Sequence, residues 1–163
     1  MSKHYWIRKQ QIDFLFEKAN STKADEETLS LLAKYLCIVV SGFLETSVRE
    51  IYDYYTQNKA YRNVSGYVSK QLRRFHNPKM NNILALAESF CPRWKEEMER
   101  VVGTEIVDAV NSVVNIRNNI AHGVNVGITL GRIKEYYVKV VELITLIERQ
   151  CTSSERSPGK SII

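Results

Sequence analysis

One apolar pattern constrains the fold of this chain more than any other feature. From residue 29 to residue 51, apolar side chains recur at steps of three and four, the spacing of one face of an α-helix. They are Leu29, Leu32, Ala33, Leu36, Val39, Val40, Phe43, Leu44, Val48 and Ile51. Few helices of globular domains are this long. We therefore predict that a helix over residues 26–58, with Asp25 as its N-cap, forms the spine of a helical bundle.

The rest of the chain shows the same helical periodicity, without strand-like alternation of apolar and polar residues. The pattern predicts further helices over residues 5–19, 64–75, 77–90, 92–101, 104–122 and 129–150. Asn77 and Thr104 are the predicted N-caps of two of them, and Gly123 is a predicted left-handed C-terminal cap. We predict an all-α fold in which residues 1–151 form a single domain. The polar segment 152–163 is predicted to be a disordered tail.

Length, charge and cysteine content limit the class of protein. The 163 residues fit one domain, and 23 Lys and Arg against 18 Asp and Glu give a net charge of +5. That moderate charge suits an acidic partner such as RNA. Three widely spaced cysteines, Cys37, Cys91 and Cys151, indicate reduced thiols in a cytosolic protein. No stretch has the character of a signal peptide or a bilayer span, so we predict a soluble, cytoplasmic protein without a membrane partner.

The segment RNNIAHG, residues 117–123, combines the groups that RNA cleavage without a metal requires. His122 can take or give a proton near neutral pH, and Arg117 can hold a phosphate through two parallel hydrogen bonds. Asn118 lies one helical turn from His122 and can orient its ring. Arg117 lies about 140° around the helix axis from His122. One copy therefore forms an open site, which two facing copies can close.

Each of these residues also has a structural interpretation. A histidine at the end of a helix can simply satisfy the last carbonyl groups, and Arg117 alone can be a surface cation. Asn118 and Asn119 favour the functional interpretation. Asparagine is a poor helix former, and such local conflicts tend to occur at functional sites.

The motif and its context resemble the HEPN superfamily (higher eukaryotes and prokaryotes nucleotide-binding). Many of its members carry an arginine followed by a polar residue and, a few positions later, a histidine. Three runs look like the RiboL-PSP-HEPN subgroup and together cover about residues 29–148. They are SGFLETSVREIYDYY (41–55), VSKQLRRFHNPKMNNILALAESFCPRW (68–94) and NSVVNIRNNIAHGVNVGITLGRIKEYYVKVVELI (111–144).

The resemblance implies a HEPN-type antiparallel bundle and a metal-independent endoribonuclease that cleaves single-stranded RNA by attack of the 2′-hydroxyl. Its catalytic residues would be Arg117, Asn118 and His122, in a site built across a homodimer. It also implies a toxin or effector in stress response or anti-phage defence, with an antitoxin or a defence-system protein as partner. The alternative is a non-catalytic HEPN interaction or nucleotide-binding module. His4 and His76 have no partner at metal-ligand spacing, so we predict neither metal nor cofactor.

Two further sets of residues have two interpretations each. Glu45 and Arg49, four residues apart on the spine helix, form either a surface ion pair or part of the cleft beside the motif, with Asn119 as another lining residue. The basic cluster near residue 72 forms either a solvated helix face or a surface that follows RNA phosphates. Its members are Lys70, Arg73 and Arg74.

Overall fold

The computed structural model describes residues 3–153, and this part of the chain consists of seven helices without a strand. The prediction of an all-α fold is therefore confirmed. The helices are α1 (Lys3–Ser21), α2 (Glu26–Lys59), α3 (Arg62–Leu72), α4 (Met80–Phe90), α5 (Pro92–Val101), α6 (Thr104–Ala121) and α7 (Leu130–Ser153).

Helix α2 is the predicted spine, and it begins where the sequence places it. The Asp25 carboxylate accepts a hydrogen bond from the Thr28 N–H at 2.7 Å, as an N-cap does. This bond holds the pKa of the Asp25 carboxyl below its ordinary value. Glu26 and Glu27 occupy the first turn, where negative charge suits the helix dipole.

The bundle is built around α2, which packs most extensively on α7 and also on α6, α1 and α3. Helices α2 and α7 run in the same direction. Leu29 and Ile128 line one cavity at the starts of these helices, and Tyr52 and Cys151 interact near their ends. A short loop joins α6 to α7, so α6 runs antiparallel to both. The C-terminal end of α6 therefore lies at the same end of the bundle as the start of α2.

Aromatic side chains fill the space between the long helices. Phe16 stacks on Tyr137 with ring centroids 5.2 Å apart, and Tyr5 stacks on Phe43 at 5.6 Å. These contacts join α1, α2 and α7, and such pairs stabilise a core beyond the area they bury.

Among the described helices, α2 is long and apolar enough to cross a membrane by length and composition alone. Half of its most apolar window is buried in the bundle. The core helix of a bundle has the same composition, and the packing of α2 accounts for it.

Several predicted helix boundaries were wrong, among them the end of α3, which is Leu72 rather than Phe75. Asn77 is not an N-cap: its φ is 56°, and α4 begins at Met80 with Lys79 as the cap residue. Gly103, not Thr104, precedes the first turn of α6. Helix α7 continues to Ser153, so the first two residues of the predicted tail are helical, and residues 154–163 lie outside the described residues.

The buried hydroxyl of Tyr52 provides a test of the packing. Within the described residues this hydroxyl has no hydrogen-bond partner, and burial raises the pKa of the phenol. A buried polar group without a partner is destabilising, so Tyr52→Phe should raise the free energy of unfolding by about 1 kcal/mol. Urea denaturation measures the change.

Tyr137 is the matched control for Tyr52. Its hydroxyl donates to the Asp13 carboxylate at 2.8 Å. Tyr137→Phe removes this bond and should therefore lower the free energy of unfolding. Equal destabilisation by the two substitutions would contradict the environment described for Tyr52.

Candidate active site

The end of α6 fixes the position of His122. His122 is the C-cap residue, and Gly123 follows with a left-handed φ of 72°. The Gly123 N–H donates to the Ile120 carbonyl at 3.1 Å, and the Val124 N–H donates to the Asn119 carbonyl at 2.9 Å. This pair of bonds is a Schellman motif, so the predicted cap at Gly123 is confirmed. The His122 side chain is exposed just beyond the helix.

Arg117 lies on a turn of α6 that packs against the spine helix. The Cys37 thiol donates to the Val113 carbonyl, with 3.6 Å between sulfur and oxygen, and the Arg117 backbone is a further partner of that thiol. Burial raises the pKa of the Cys37 thiol to about 11, so the thiol stays protonated. Cys37 thus holds the turn in place, while the Arg117 side chain remains exposed.

The Asn118 side chain connects Arg117 to a second segment of the chain. Arg117 Nη1 donates to Asn118 Oδ1 at 3.1 Å, and Asn118 Nδ2 donates to Asn77 Oδ1 at 3.1 Å. Among the described contacts, Asn118 meets His122 through its backbone carbonyl, which accepts the His122 N–H at 3.0 Å. Within one chain, the helix end rather than the Asn118 side chain determines where the His122 ring lies.

Asn77 is held firmly in the turn before α4. It adopts the left-handed conformation, which asparagine tolerates better than most residues. Its carbonyl accepts hydrogen bonds from the Lys79 N–H at 2.7 Å and from Asn82 Nδ2 at 2.8 Å. Next to it, Asn111 Oδ1 on α6 accepts the Met80 N–H at 3.0 Å. The turn is therefore tied to α6 at two points.

His76 extends these contacts to the spine helix. His76 Nδ1 lies 3.3 Å from Glu45 Oε1, and Arg49 Nη2 lies 3.2 Å from the same carboxylate oxygen. The ion pair predicted between Glu45 and Arg49 is therefore present. Through His76 it is connected to the segment that contacts Asn118. We call the series Arg49, Glu45, His76, Asn77, Asn118 and Arg117 the polar line.

The basic cluster lies beside the polar line. Arg73 lines a polar cavity of about 350 Å³ together with Arg49 and Asp53. Arg74 lines a larger cavity on the other side of α3, and Lys70 is exposed on the same helix. Of the predicted site residues, Asn119 is exposed and contributes its carbonyl to the Schellman motif.

Sequence reasoning missed His76 and Asn77 as site residues. Both lie within three residues of the basic cluster, but that position does not indicate their contacts with Glu45 and Asn118. The Asn-Pro pair is typical of a helix start, so the sequence predicts an N-cap at Asn77 rather than a contact with Asn118.

The described part of the chain offers imidazole, guanidinium and amide groups at this site. Within residues 3–153, no group of three or more His, Cys, Asp or Glu side chains lies close enough together to hold a metal ion.

The long spine helix, the short accessory helices and the motif at the end of α6 define a HEPN-type helical bundle. A model of the RiboL-PSP-HEPN family matches residues 4–153, and the chain belongs to this family. HEPN domains are generally associated with ribonuclease activity. Comparison with curated proteins and with solved structures gave no match.

Proposed function

We propose that this protein is a metal-independent endoribonuclease that cleaves single-stranded RNA. The observation that carries the proposal is the polar line, which orients Asn118 beside Arg117 while His122 stays exposed at the same helix end. The family's general association with ribonuclease activity supports it.

The available groups match the chemistry of RNA cleavage. The 2′-oxygen loses its proton and bonds to the adjacent phosphorus, and the bond from phosphorus to the 5′-oxygen breaks as that oxygen gains a proton. His122 carries out one of these proton transfers. Arg117 stabilises the negative charge that develops on the phosphoryl oxygens. His122 of the second copy in the proposed homodimer carries out the other proton transfer. His76, with Nδ1 3.3 Å from Glu45 Oε1, lies on the segment that binds Asn118.

The first experiment compares RNA with DNA in the presence of EDTA. A labelled single-stranded RNA should be cut, and DNA of the same sequence should remain intact because it lacks the 2′-hydroxyl. Cleavage that appears only after magnesium is added would contradict the mechanism. Binding of RNA without any cleavage would favour the non-catalytic module.

The proposed assembly is a homodimer that pairs the two motifs. Three exposed apolar residues, Leu31, Tyr35 and Ile38, form what we call the α2 stripe. Ile38 follows Cys37, whose thiol contacts the turn of Arg117, so the stripe borders the motif. A two-fold dimer on this face buries apolar surface and brings two copies of the motif together.

We also propose a cytoplasmic location and a role as toxin or effector. All three cysteines are free, and burial raises the pKa of the Cys151 thiol to about 12. Such inert thiols suit a reducing compartment. The toxin or effector role, with an antitoxin or defence-system protein as partner, is supported by the family resemblance.

The role of Asn77 can be tested by two substitutions. Asn77→Gly keeps the left-handed backbone and removes only the side chain that holds Asn118. Since one hydrogen bond contributes about 0.5–1.5 kcal/mol, cleavage should fall by roughly two- to tenfold while thermal stability changes little. Wild-type cleavage by Asn77→Gly would contradict a role for the polar line.

Asn77→Ala is the companion to Asn77→Gly. Alanine loses the same side-chain contact and adds strain at a positive φ. This variant should therefore show the loss of cleavage together with a lower melting temperature. The difference between the two variants separates the backbone of Asn77 from its hydrogen bond.

A further inference from the structure

We infer that the cavity between α2, α3 and α4 binds a nucleobase of the RNA strand that occupies the motif, several nucleotides from the phosphate at Arg117, an inference that rests on the proposed function. The cavity measures about 580 Å³, which is within the range of small-molecule sites. It is separate from the motif, and none of the predicted catalytic residues lines it. Its aromatic and aliphatic wall consists of Tyr55, Val68, Leu72, Phe75, Leu86 and Phe90.

The aromatic part of this wall is already in place without a ligand. Phe90 stacks on the buried Tyr52 with 4.7 Å between ring centroids. Tyr55 packs edge-on against Trp94 at 5.2 Å and against Phe90 at 6.4 Å. Single-stranded RNA is commonly recognised by stacking of unpaired bases on aromatic side chains. Because these rings are held by the core, a base can enter without ordering them first.

The rim of the cavity is cationic and has unused polar groups. Among the described residues, no side chain forms a hydrogen bond or an ion pair with those of Lys59, Gln71 or Arg74. By contrast, the hydroxyls of Thr56 and Ser89 already donate to carbonyls of their own helices, at 2.8 and 2.6 Å. Two cations around an apolar cavity complement a nucleotide, which combines a flat base with a charged phosphate.

One edge of the cavity is connected to the motif through the turn before α4. Phe75 lines the cavity, and Asn77, two residues later, binds Asn118. From Cys37, which contacts the turn of Arg117, to Tyr55 in the cavity wall, α2 rises about 27 Å, which corresponds to about eight nucleotides at roughly 3.4 Å each in a stacked strand. An RNA strand that places a phosphate at Arg117 can therefore place a base several nucleotides away in the cavity.

The test measures binding of short labelled RNAs to the His122→Ala protein, which leaves the RNA intact. Each RNA carries one abasic nucleotide at a different position, and fluorescence anisotropy gives the affinity. Removing the base that stacks in the cavity should weaken binding by about five- to a hundredfold, at one position only. Ser89→Trp, an exposed residue at the rim, fills the cavity and should abolish this position-specific effect.

Thr145→Trp is the matched control for Ser89→Trp. Thr145 is likewise exposed, and its hydroxyl likewise donates to a carbonyl of its own helix, but it lies on α7 beside Tyr5, away from the cavity. A second pair of variants does not depend on filling the cavity. Arg74→Gln should lower the slope of log affinity against log salt concentration by about 0.7, whereas Arg100→Gln should not change it.

The outcomes separate this inference from the proposed function. If Ser89→Trp removes the position-specific loss of affinity caused by the abasic nucleotide, this result supports base binding in the cavity. The conclusion holds whether or not the wild-type protein cleaves RNA. The same abasic effect in Ser89→Trp and Thr145→Trp would overturn the inference, and so would an unchanged salt slope for Arg74→Gln. In that case, cleavage of RNA in EDTA would still support the proposed ribonuclease activity, without base binding in the cavity.

Discussion

Replacing His122 with alanine is expected to reduce cleavage of single-stranded RNA by about a hundred- to ten-thousand-fold, the usual effect of removing a general acid or base. The protein should remain folded, because the His122 ring is exposed beyond α6 and contributes nothing to the core. Initial rates on a labelled RNA in EDTA measure the loss, and thermal unfolding verifies the fold. Cleavage at the wild-type rate would remove His122 from the mechanism.

Arg117→Lys complements this variant because it keeps the positive charge. Lysine cannot reproduce the two parallel hydrogen bonds of a guanidinium, so the rate should still fall. The Arg117 side chain is exposed and makes its described hydrogen bond to Asn118. A lysine variant as active as the wild type would show that only the charge at this position matters.

Placing a charge in the α2 stripe is expected to have an effect of similar size. Tyr35→Glu would bury a carboxylate in the proposed interface, where an unpaired charge is strongly unfavourable. The protein should become a monomer, and cleavage should fall by about a hundredfold or more, because each motif loses the proton-transfer group of the second copy. Light scattering and cleavage rates on the same samples test both parts.

Tyr54→Glu is the matched control for Tyr35→Glu. The two tyrosines lie on the same helix with exposures of 52% and 55%, but Tyr54 is outside the stripe. The control variant should keep the oligomeric state and activity of the wild type. A monomeric Tyr35→Glu protein that cleaves RNA at full rate would show that one chain is sufficient.

The sequence predicted those parts of the fold that local interactions determine. The spine helix follows from apolar spacing, and its start follows from the Asp25 cap. The start of α4 could not be predicted in this way. The Asn-Pro pair has a strong local preference for a helix start, but contacts with α6 place Asn77 in the left-handed conformation instead.

The candidate site likewise has one part that local sequence predicts and one part that depends on packing of the bundle. Arg117, Asn118 and His122 lie within six residues, so helical geometry alone brings them together. Asn77 and Asn118 are 41 residues apart, and His76 and Glu45 are 31 residues apart. Packing of the whole bundle creates these contacts, and no short-range pattern in the sequence indicates them.

Identification of the cleavage products tests the central claim most directly. A synthetic RNA is incubated with the wild-type protein in EDTA, and mass spectrometry determines the ends of the fragments. Attack by the 2′-hydroxyl, assisted by His122 and Arg117, predicts a 2′,3′-cyclic phosphate on one fragment and a 5′-hydroxyl on the other. Fragments that instead carry a 5′-phosphate and a 3′-hydroxyl would show that water attacks the phosphorus, and this result would contradict the account.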